Sequence, residues 1–347
     1  MQIVLLIPDL IPPQPPGGLI DIYRDLNLPN LAFLLGRATH RSTLGASLES
    51  WLCRAFDVAG TPDLPIAALT LLADHGDPGN AYWLRVDPVH LEPQRDQLVL
   101  SDSEALGITR LEADQLIETL NTHFAGSAYS FHTLHPERWH ARMPTALDAE
   151  TFPLPEVSGR GIGDYMPGGN SGSKLRKLMN EVQMLLHDHA VNQARETQGL
   201  PTINSIWPWG GGCLPPVSAR PFSYLWAIDP LAQGLALASR TPWSELPANA
   251  RTLLDKNTTG EGTHLVVLDG LRSAAAHGDH AAWQAALRTL EEKWFKPLTL
   301  AYRRGQIGSL DIYALDARHT TVFTLPPRAR WKFWRRAKSL KHYAAAS

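Results

Sequence analysis

The sequence predicts an α/β protein: a largely parallel sheet flanked by helices, with a smaller α+β domain inserted into it. Three observations carry this. Residues 3–7 (IVLLI) form an apolar run without polar alternation, the pattern of a strand covered on both faces in a parallel sheet, and the run ends in Pro8 and Asp9. The stretches THLVVLDGL (263–271) and SLDIYALDA (309–317) repeat that form late in the chain and run into Asp269 and Asp316. Residues 85–160 differ in texture, mixing strand-like runs with one or two helical stretches, so parallel-type strands stand on both sides of a separate unit.

Taken in order, the first strand leads into PQPPGGL (13–19), a loop signal. DPVHLEPQRDQLVLS reads as strand and TRLEADQLIETLNTHF as a short helix, followed by a His- and Pro-rich run and the linker MPGGNSGS (166–173). Residues 173–199 form the most secure helix. Leu175, Leu178, Met179, Val182, Leu185, Leu186 and His189 recur at steps of three and four, and Gly199 with Pro201 supplies the stop. A second amphipathic helix spans 280–305, kinked before Pro297. The expected division is a discontinuous parent domain over 1–82 and 206–325, an inserted α+β domain with a linker helix over 83–205, and a basic aromatic tail over 326–347.

A chain of 347 residues exceeds the size at which one core usually keeps growing. Apolar residues at 44% and charged residues at 19% describe a globular protein, and a net charge of −2 gives no whole-chain reason to expect a polyanionic partner. Cys53 and Cys213 are too few for a disulfide framework and lack metal-type spacing, which suits a reducing compartment. With no basic stretch ahead of it, the opening apolar run is too short for a secretory leader or a membrane span, so a cytoplasmic location is expected.

Strand-end acids are candidate ligands, because open α/β sheets gather their ligands outside the carboxyl ends of the strands. Asp9 and Asp269 therefore read either as metal ligands or as caps of the following turns. His277 and Asp279 in HGDH (277–280) read either as further ligands or as a helix start with Asp279 near its N-terminus. His187 and His189 project about 200° apart on a helix and cannot share a metal; His189 reads as a hydrogen-bonded histidine of the apolar stripe. His132, His135 and His140 are a candidate cluster or a solvated loop.

NSIWPWGGGCLPP (204–216) is explained by neither helix nor strand. One reading is a backbone cradle. The amides of Gly210, Gly211 and Gly212 would face an anion, Trp207 and Trp209 would wall the pocket, and Asn204 and Arg195 would add donors. The other is a tight crossover in which the tryptophans merely pack. After Asp316 no acid follows, while Arg318, Arg328, Arg330, Lys332, Arg335, Arg336, Lys338 and Lys341 accumulate around Trp331, Phe333 and Trp334. This tail suits a nucleic acid or an anionic surface, or else a terminal helix whose aromatics pack while its cations stay solvated.

HDHAVNQARETQGLPTINSIWPWGGGCLPP resembles a segment of the archaeal-type cofactor-independent phosphoglycerate mutases, through His189, Val191, Asn192, Arg195, Gly199, Pro201, Asn204, Trp209, Gly210, Gly212 and Pro215. Asn192 thereby joins the candidate ligand-binding set. The whole chain is similar to the RpfE-type regulatory proteins of bacteria. The resemblance implies an alkaline-phosphatase-type α/β fold and a phosphoryl transfer through a serine beside two divalent metals, Mn²⁺ or Zn²⁺. Here the Asp-x-x-Gly-His element of those enzymes stands as Ser273, Ala274, Ala275, Ala276 and His277, Leu10 follows Asp9 where they carry glycine, and nothing selects among Ser42, Ser47 and Ser50. The expectation is a catalytically degenerate, mutase-like protein with a regulatory or phospho-ligand-binding role. The alternatives are an active metal-dependent phosphohydrolase or mutase drawing on Asp9, Asp269, His277, Asp279, Asp316 and His319, and an adaptor acting through the tail.

Overall fold

The computed structural model describes residues 1–12, 21–60, 63–94, 97–127, 129–255, 262–316, 318–331 and 334–344. The loop expected at 13–19, and Lys332 and Phe333 of the tail, lie outside the described residues. In chain order the strands are β1 (Gln2–Pro8), β2 (Thr39–Leu44), β3 (Tyr82–Gln94), β4 (Gln97–Ser101), β5 (Ser130–His135), β6 (Arg138–Met143), β7 (Ser205–Gly212), β8 (Tyr224–Trp226), β9 (Trp243–Ser244), β10 (Thr263–Val267), β11 (Ser309–Leu315) and β12 (His319–Leu325). The chain divides into residues 1–56 with 219–347, and residues 57–218.

The first unit is built on a seven-stranded sheet of order β2-β12-β11-β1-β10-β8-β9. β1 pairs in parallel with β10 on one side and β11 on the other, so it is the strand with no polar face to offer, and residues 3–8 are all buried. β8 and β9 continue the parallel set, whereas β12 and β2 run antiparallel. β2 is an edge strand and every residue of it is exposed, which its polar sequence THRSTL allows. Ile3, Leu5, Trp226, Trp283, Phe295, Leu298 and Phe323 are among the core residues between sheet and helices.

The helix expected over 280–305 is observed as His280–Leu290, a π-turn Glu291–Phe295, and Lys296–Arg303 with Pro297 in its first turn. The bulge aims Glu291 at the start of the helix Pro29–Arg37, which has no side-chain cap of its own. One Glu291 oxygen accepts from the Asn30 amide at 2.7 Å and the other from the Leu31 amide at 3.0 Å. A buried carboxylate so placed satisfies orphan donors and matches the helix dipole.

The second unit is antiparallel. β3 pairs with β4, β6 and β7, and β6 with β5. The expected insert limits, 83 and 205, differ from the observed 57 and 218 because β7 pairs along β3 and the helix Ile66–Ala73 packs on both strands. The helix Arg110–His123 starts in a capping box of Thr109 and Glu112. The long helix expected over 173–199 is two, Gly172–His187 and Ala190–Thr197. The break comes at His189, whose Nδ1 accepts the Val191 amide at 3.1 Å and caps the second helix.

The glycine run is likewise corrected: Ser205–Gly212 is a strand. Gly210 takes a left-handed φ of 64° beside a register shift opposite Trp83 and Arg85, a bulge that L-residues resist. A Cβ on Gly212 would sit 2.5 Å from the Pro65 Cβ and 2.8 Å from its Cα, so glycine lets the chain entering the helix Ile66–Ala73 lie against the strand. Gly212→Ala is therefore expected to lower the unfolding free energy of this unit by roughly 1–3 kcal/mol in urea titration, and an unchanged midpoint would show that the approach relaxes freely.

Candidate functional site

Because β1, β8, β10 and β11 run in the same direction, their carboxyl ends share one edge of the sheet. Asp9 directly follows β1, Asp229 lies three residues past β8, Asp269 two past β10, and Asp316 directly after β11. Glu49, from the helix Leu48–Ala55, and Arg272, the first residue of the helix Arg272–Ala276, complete a charged group there. The Arg272 guanidinium donates Nη2–H to Glu49 Oε1 at 2.9 Å, with side chains 20% and 6% exposed. Glu49 Oε2 is buried and has no hydrogen-bond partner among the described residues.

The electrostatics are those of three carboxyls around one cation. Burial, and next the neighbouring Asp269, push the Asp229 carboxyl up to about 7, against the Ala232 amide and Arg272. Asp269 is also raised, by burial first, with Arg272 opposing. Burial works against the Arg272 charge, yet Glu49, with Asp229 and Asp269 behind it, holds its pKa above the ordinary arginine value.

The expected metal set is not gathered. Asp9 is locked through its backbone in a left-handed conformation of φ 56°, its amide donating to Leu315 and its carbonyl accepting from Trp283 Nε1. His277 is exposed, with Nδ1 2.9 Å from the Ser273 carbonyl, and Asp279 caps the helix His280–Leu290 by accepting the Ala282 amide at 2.9 Å. Asp316 accepts the amides of Arg318 and His319 in the turn joining β11 to β12. Among the described residues no group of three or more His, Cys, Asp or Glu could hold a metal ion, and the cluster that does form contains a guanidinium. This donor set does not fit Mn²⁺ or Zn²⁺. The serines match that picture. Ser42 bonds Thr321 across β2 and β12, while Ser47 caps the helix Leu48–Ala55 and gives its proton to Ser50 Oγ, with no base in hydrogen-bond contact among the described residues.

The candidate ligand donors of the second unit are engaged by the chain itself. Arg195 is 1% exposed and donates to the Pro201 carbonyl, Glu112 and the Leu106 carbonyl at 2.7, 2.8 and 2.6 Å. Asn192 bridges Leu186 and Ile203, and Asn204 pairs with both backbone groups of Leu91. Trp207 donates to the Phe152 carbonyl and Trp209 to Asp87. The Gly210 amide donates to the Thr151 hydroxyl at 3.1 Å, and that hydroxyl donates in turn to the Asp63 carboxyl. Burial raises the Asp63 carboxyl to about 6, with Thr151 and the nearby backbone amides of Gly211, Leu64 and Gly210 opposing. Asn192, Arg195, Asn204, Trp207, Trp209 and Gly210 thus each bond to the chain itself: a buried polar group needs partners, and here the fold supplies them.

Of the histidine cluster, His132 and His140 face each other across β5 and β6, and His140 is wholly buried on Thr70. Glu49, Asp229 and Arg272 were not singled out by the sequence. Asp229 carries the same signal as Asp9 and Asp269, a short apolar strand ending in an acid (YLWAIDP), but three residues are too few to stand out.

The family profile described as "2,3-bisphosphoglycerate-independent phosphoglycerate mutase" matches residues 78–192, which lie within the second unit. A probable 2,3-bisphosphoglycerate-independent phosphoglycerate mutase of Geobacter sulfurreducens is 28% identical over 155 residues, 44% of this chain and 38% of the relative. The corresponding mutase of Methanosarcina barkeri is 34% identical over 118 residues, 33% of this chain and 30% of the relative. The chain therefore spans well under half the length of these relatives. In fold it is similar to the cofactor-independent phosphoglycerate mutase of Thermoplasma acidophilum, with a TM-score of 0.52 at 15% identity over 100% of this chain and 94% of that one. It is also similar to the PH0037 protein of Pyrococcus horikoshii, with a TM-score of 0.54 at 12% identity over 98% and 92%. The chain thus resembles the archaeal-type cofactor-independent mutases and has an alkaline-phosphatase-like α/β fold. No helix among the described residues is long and apolar enough to cross a membrane.

Proposed function

We propose that this chain is a catalytically degenerate relative of the phosphoglycerate mutases with a regulatory role, of the kind represented by the RpfE-type proteins, acting in the cytoplasm. The carrying observation is the Arg272–Glu49 pair among Asp229 and Asp269. Phosphoryl transfer of the two-metal kind needs cations that clamp the attacking and leaving oxygens; a guanidinium tied to Glu49 supplies one fixed charge and activates no hydroxyl. A phosphorylated small molecule is the weaker partner for this site, since acids outnumber cations there and the donors around the glycine run are taken.

The test is turnover of 2- and 3-phosphoglycerate and of a generic phosphomonoester with Mn²⁺, Zn²⁺ and Mg²⁺ supplied in turn. The expected outcome is no rate above that of an Asp269→Asn control. Metal-dependent turnover that this substitution abolishes would sink the proposal. The second reading, an active metal-dependent phosphohydrolase or mutase with rearranged ligands, is favoured by one observation: the raised Asp229 and Asp269 are an excess of carboxyl that a divalent ion would relieve.

A further inference from the structure

The net charge of −2 hides a division between the two units. Residues 1–56 with 219–347 carry 22 Lys and Arg against 14 Asp and Glu, net +8, while residues 57–218 carry 10 against 20, net −10. The basic excess of the first unit is concentrated at the end of the chain, where the side chains sit otherwise than expected. Ala329, Leu340 and Tyr343 of the tail pack into the core, whereas Trp331 and Trp334 are 69% and 67% exposed. The expectation that the tail aromatics pack therefore fails for both tryptophans.

The tail is laid on the helix Pro29–Arg37. The Lys338 amide donates to the Ala32 carbonyl at 3.2 Å, the Tyr343 hydroxyl to the Leu35 carbonyl at 2.9 Å, and Arg335 Nη1 to the Ala38 carbonyl at 2.9 Å. Gly36 permits the contact, since a Cβ there would lie 2.4 Å from the Arg336 carbonyl oxygen. Beside this segment opens a cavity of about 460 Å³, lined by Thr39, His40, Arg335, Arg336, Lys338 and Tyr343, with no acid in its wall. Close by on the same helix, Arg37 lies over the Phe33 ring at 3.9 Å, and Arg303, at the end of the helix Lys296–Arg303, lies over the same ring at 4.0 Å.

We propose that this groove binds single-stranded nucleic acid, with Arg335, Arg336 and Lys338 on the phosphates and Trp331 and Trp334 stacking on bases. A concave basic surface without acids matches a phosphate backbone, and the exposed indoles of the same tail, with Arg330 5.4 Å from the Trp331 ring, offer platforms that only unpaired bases can use. An anionic membrane fits less well. The tail's helix, Leu340–Ala344, is five residues long and turns Leu340 and Tyr343 into its own core, which leaves no apolar face to lie in a bilayer surface. This contact stands whether or not the strand edge turns over phosphate.

The experiment is fluorescence anisotropy of the full chain with labelled oligo(U) and oligo(dT) of about 20 nucleotides, a matched duplex, and sedimentation with phosphatidylglycerol-containing vesicles. Single strands should bind, and affinity should fall about tenfold or more between roughly 50 and 200 mM salt. Changing Arg335, Arg336 and Lys338 together to Ala should cost at least about tenfold and flatten the salt slope by about 2. Changing Trp331 and Trp334 to Ala should cost a similar factor and leave the slope unaltered. Gly36→Ala keeps every cation and both indoles but displaces the groove, so it should also weaken binding. Absence of binding at low salt, indifference to the tryptophan pair, a folded Gly36→Ala protein of unchanged affinity, or tighter binding to duplex or vesicles would each overturn the proposal.

Discussion

Replacing Arg272 by Met will lower the unfolding free energy of the first unit by about 3 kcal/mol at pH 8 and by well under half of that at pH 5.5, read from urea transitions followed by tryptophan fluorescence. The substitution takes the Arg272 donor from Glu49, whose other oxygen has no hydrogen-bond partner among the described residues, and removes the cation that holds down Asp229 and Asp269. The sign follows from linkage. A carboxyl whose folded pKa lies above its unfolded value binds its proton more tightly when folded, so stability falls as pH rises from about 4 towards 7, and Met at position 272 widens that window. Asp229→Asn should move the other way, gaining about 1–2 kcal/mol at pH 8, about half of that at pH 5.5 and almost nothing below about pH 4. The same variant separates the two functional readings. If the cluster is a metal site held shut by arginine, Mn²⁺ at millimolar concentration should restore the Met protein's stability at pH 8; if the cluster is only an ion-pair network, acid restores it and Mn²⁺ does not.

The elements that were legible in the sequence are those whose environment is uniform along the strand. β1 and β10 are buried on both faces, so their residues show it directly, while β11 alternates, with Ser309, Asp311 and Tyr313 half-buried on one face. β7 was illegible because its glycines, which weaken a strand considered alone, are required by the helix start at Pro65 and Ile66, more than a hundred residues earlier. Tertiary approach overrode local propensity there. His189 was drawn into an apolar stripe because its position fits the period, yet its ring nitrogen ends one helix and starts the next. Among the site residues, Asp9 and Asp269 could be read as strand-end acids, but the pairing that neutralises the edge comes from Glu49 and Arg272, 223 residues apart in sequence. No local pattern marks such a pair. The donors Arg195, Asn192 and Asn204 looked free for a ligand because sequence shows what a side chain can bond and not which carbonyl the fold has already placed beside it.

Asp87→Ala should cost the second unit about 3–5 kcal/mol, the largest loss from any single polar substitution here. The Asp87 side chain is wholly buried. Its Oδ1 accepts from Arg85 Nε at 3.0 Å, from Arg85 Nη2 at 2.7 Å and from the Trp139 amide at 3.3 Å, and its Oδ2 accepts from Trp209 Nε1 at 2.7 Å. One carboxylate thus ties β3, β6 and β7 together at the centre of the sheet. Alanine would leave a buried guanidinium without its counter-ion and two N–H groups without acceptors, whereas Asp87→Asn retains a carbonyl acceptor and should cost less than Asp87→Ala. Arg85→Met combined with Asp87→Leu should recover part of the loss, because replacing both partners removes the stranded charge, and the resulting double-mutant coupling should exceed about 1.5 kcal/mol. A loss below about 1 kcal/mol for Asp87→Ala would mean that water reaches Arg85 in the folded state and that the network does not bind the three strands.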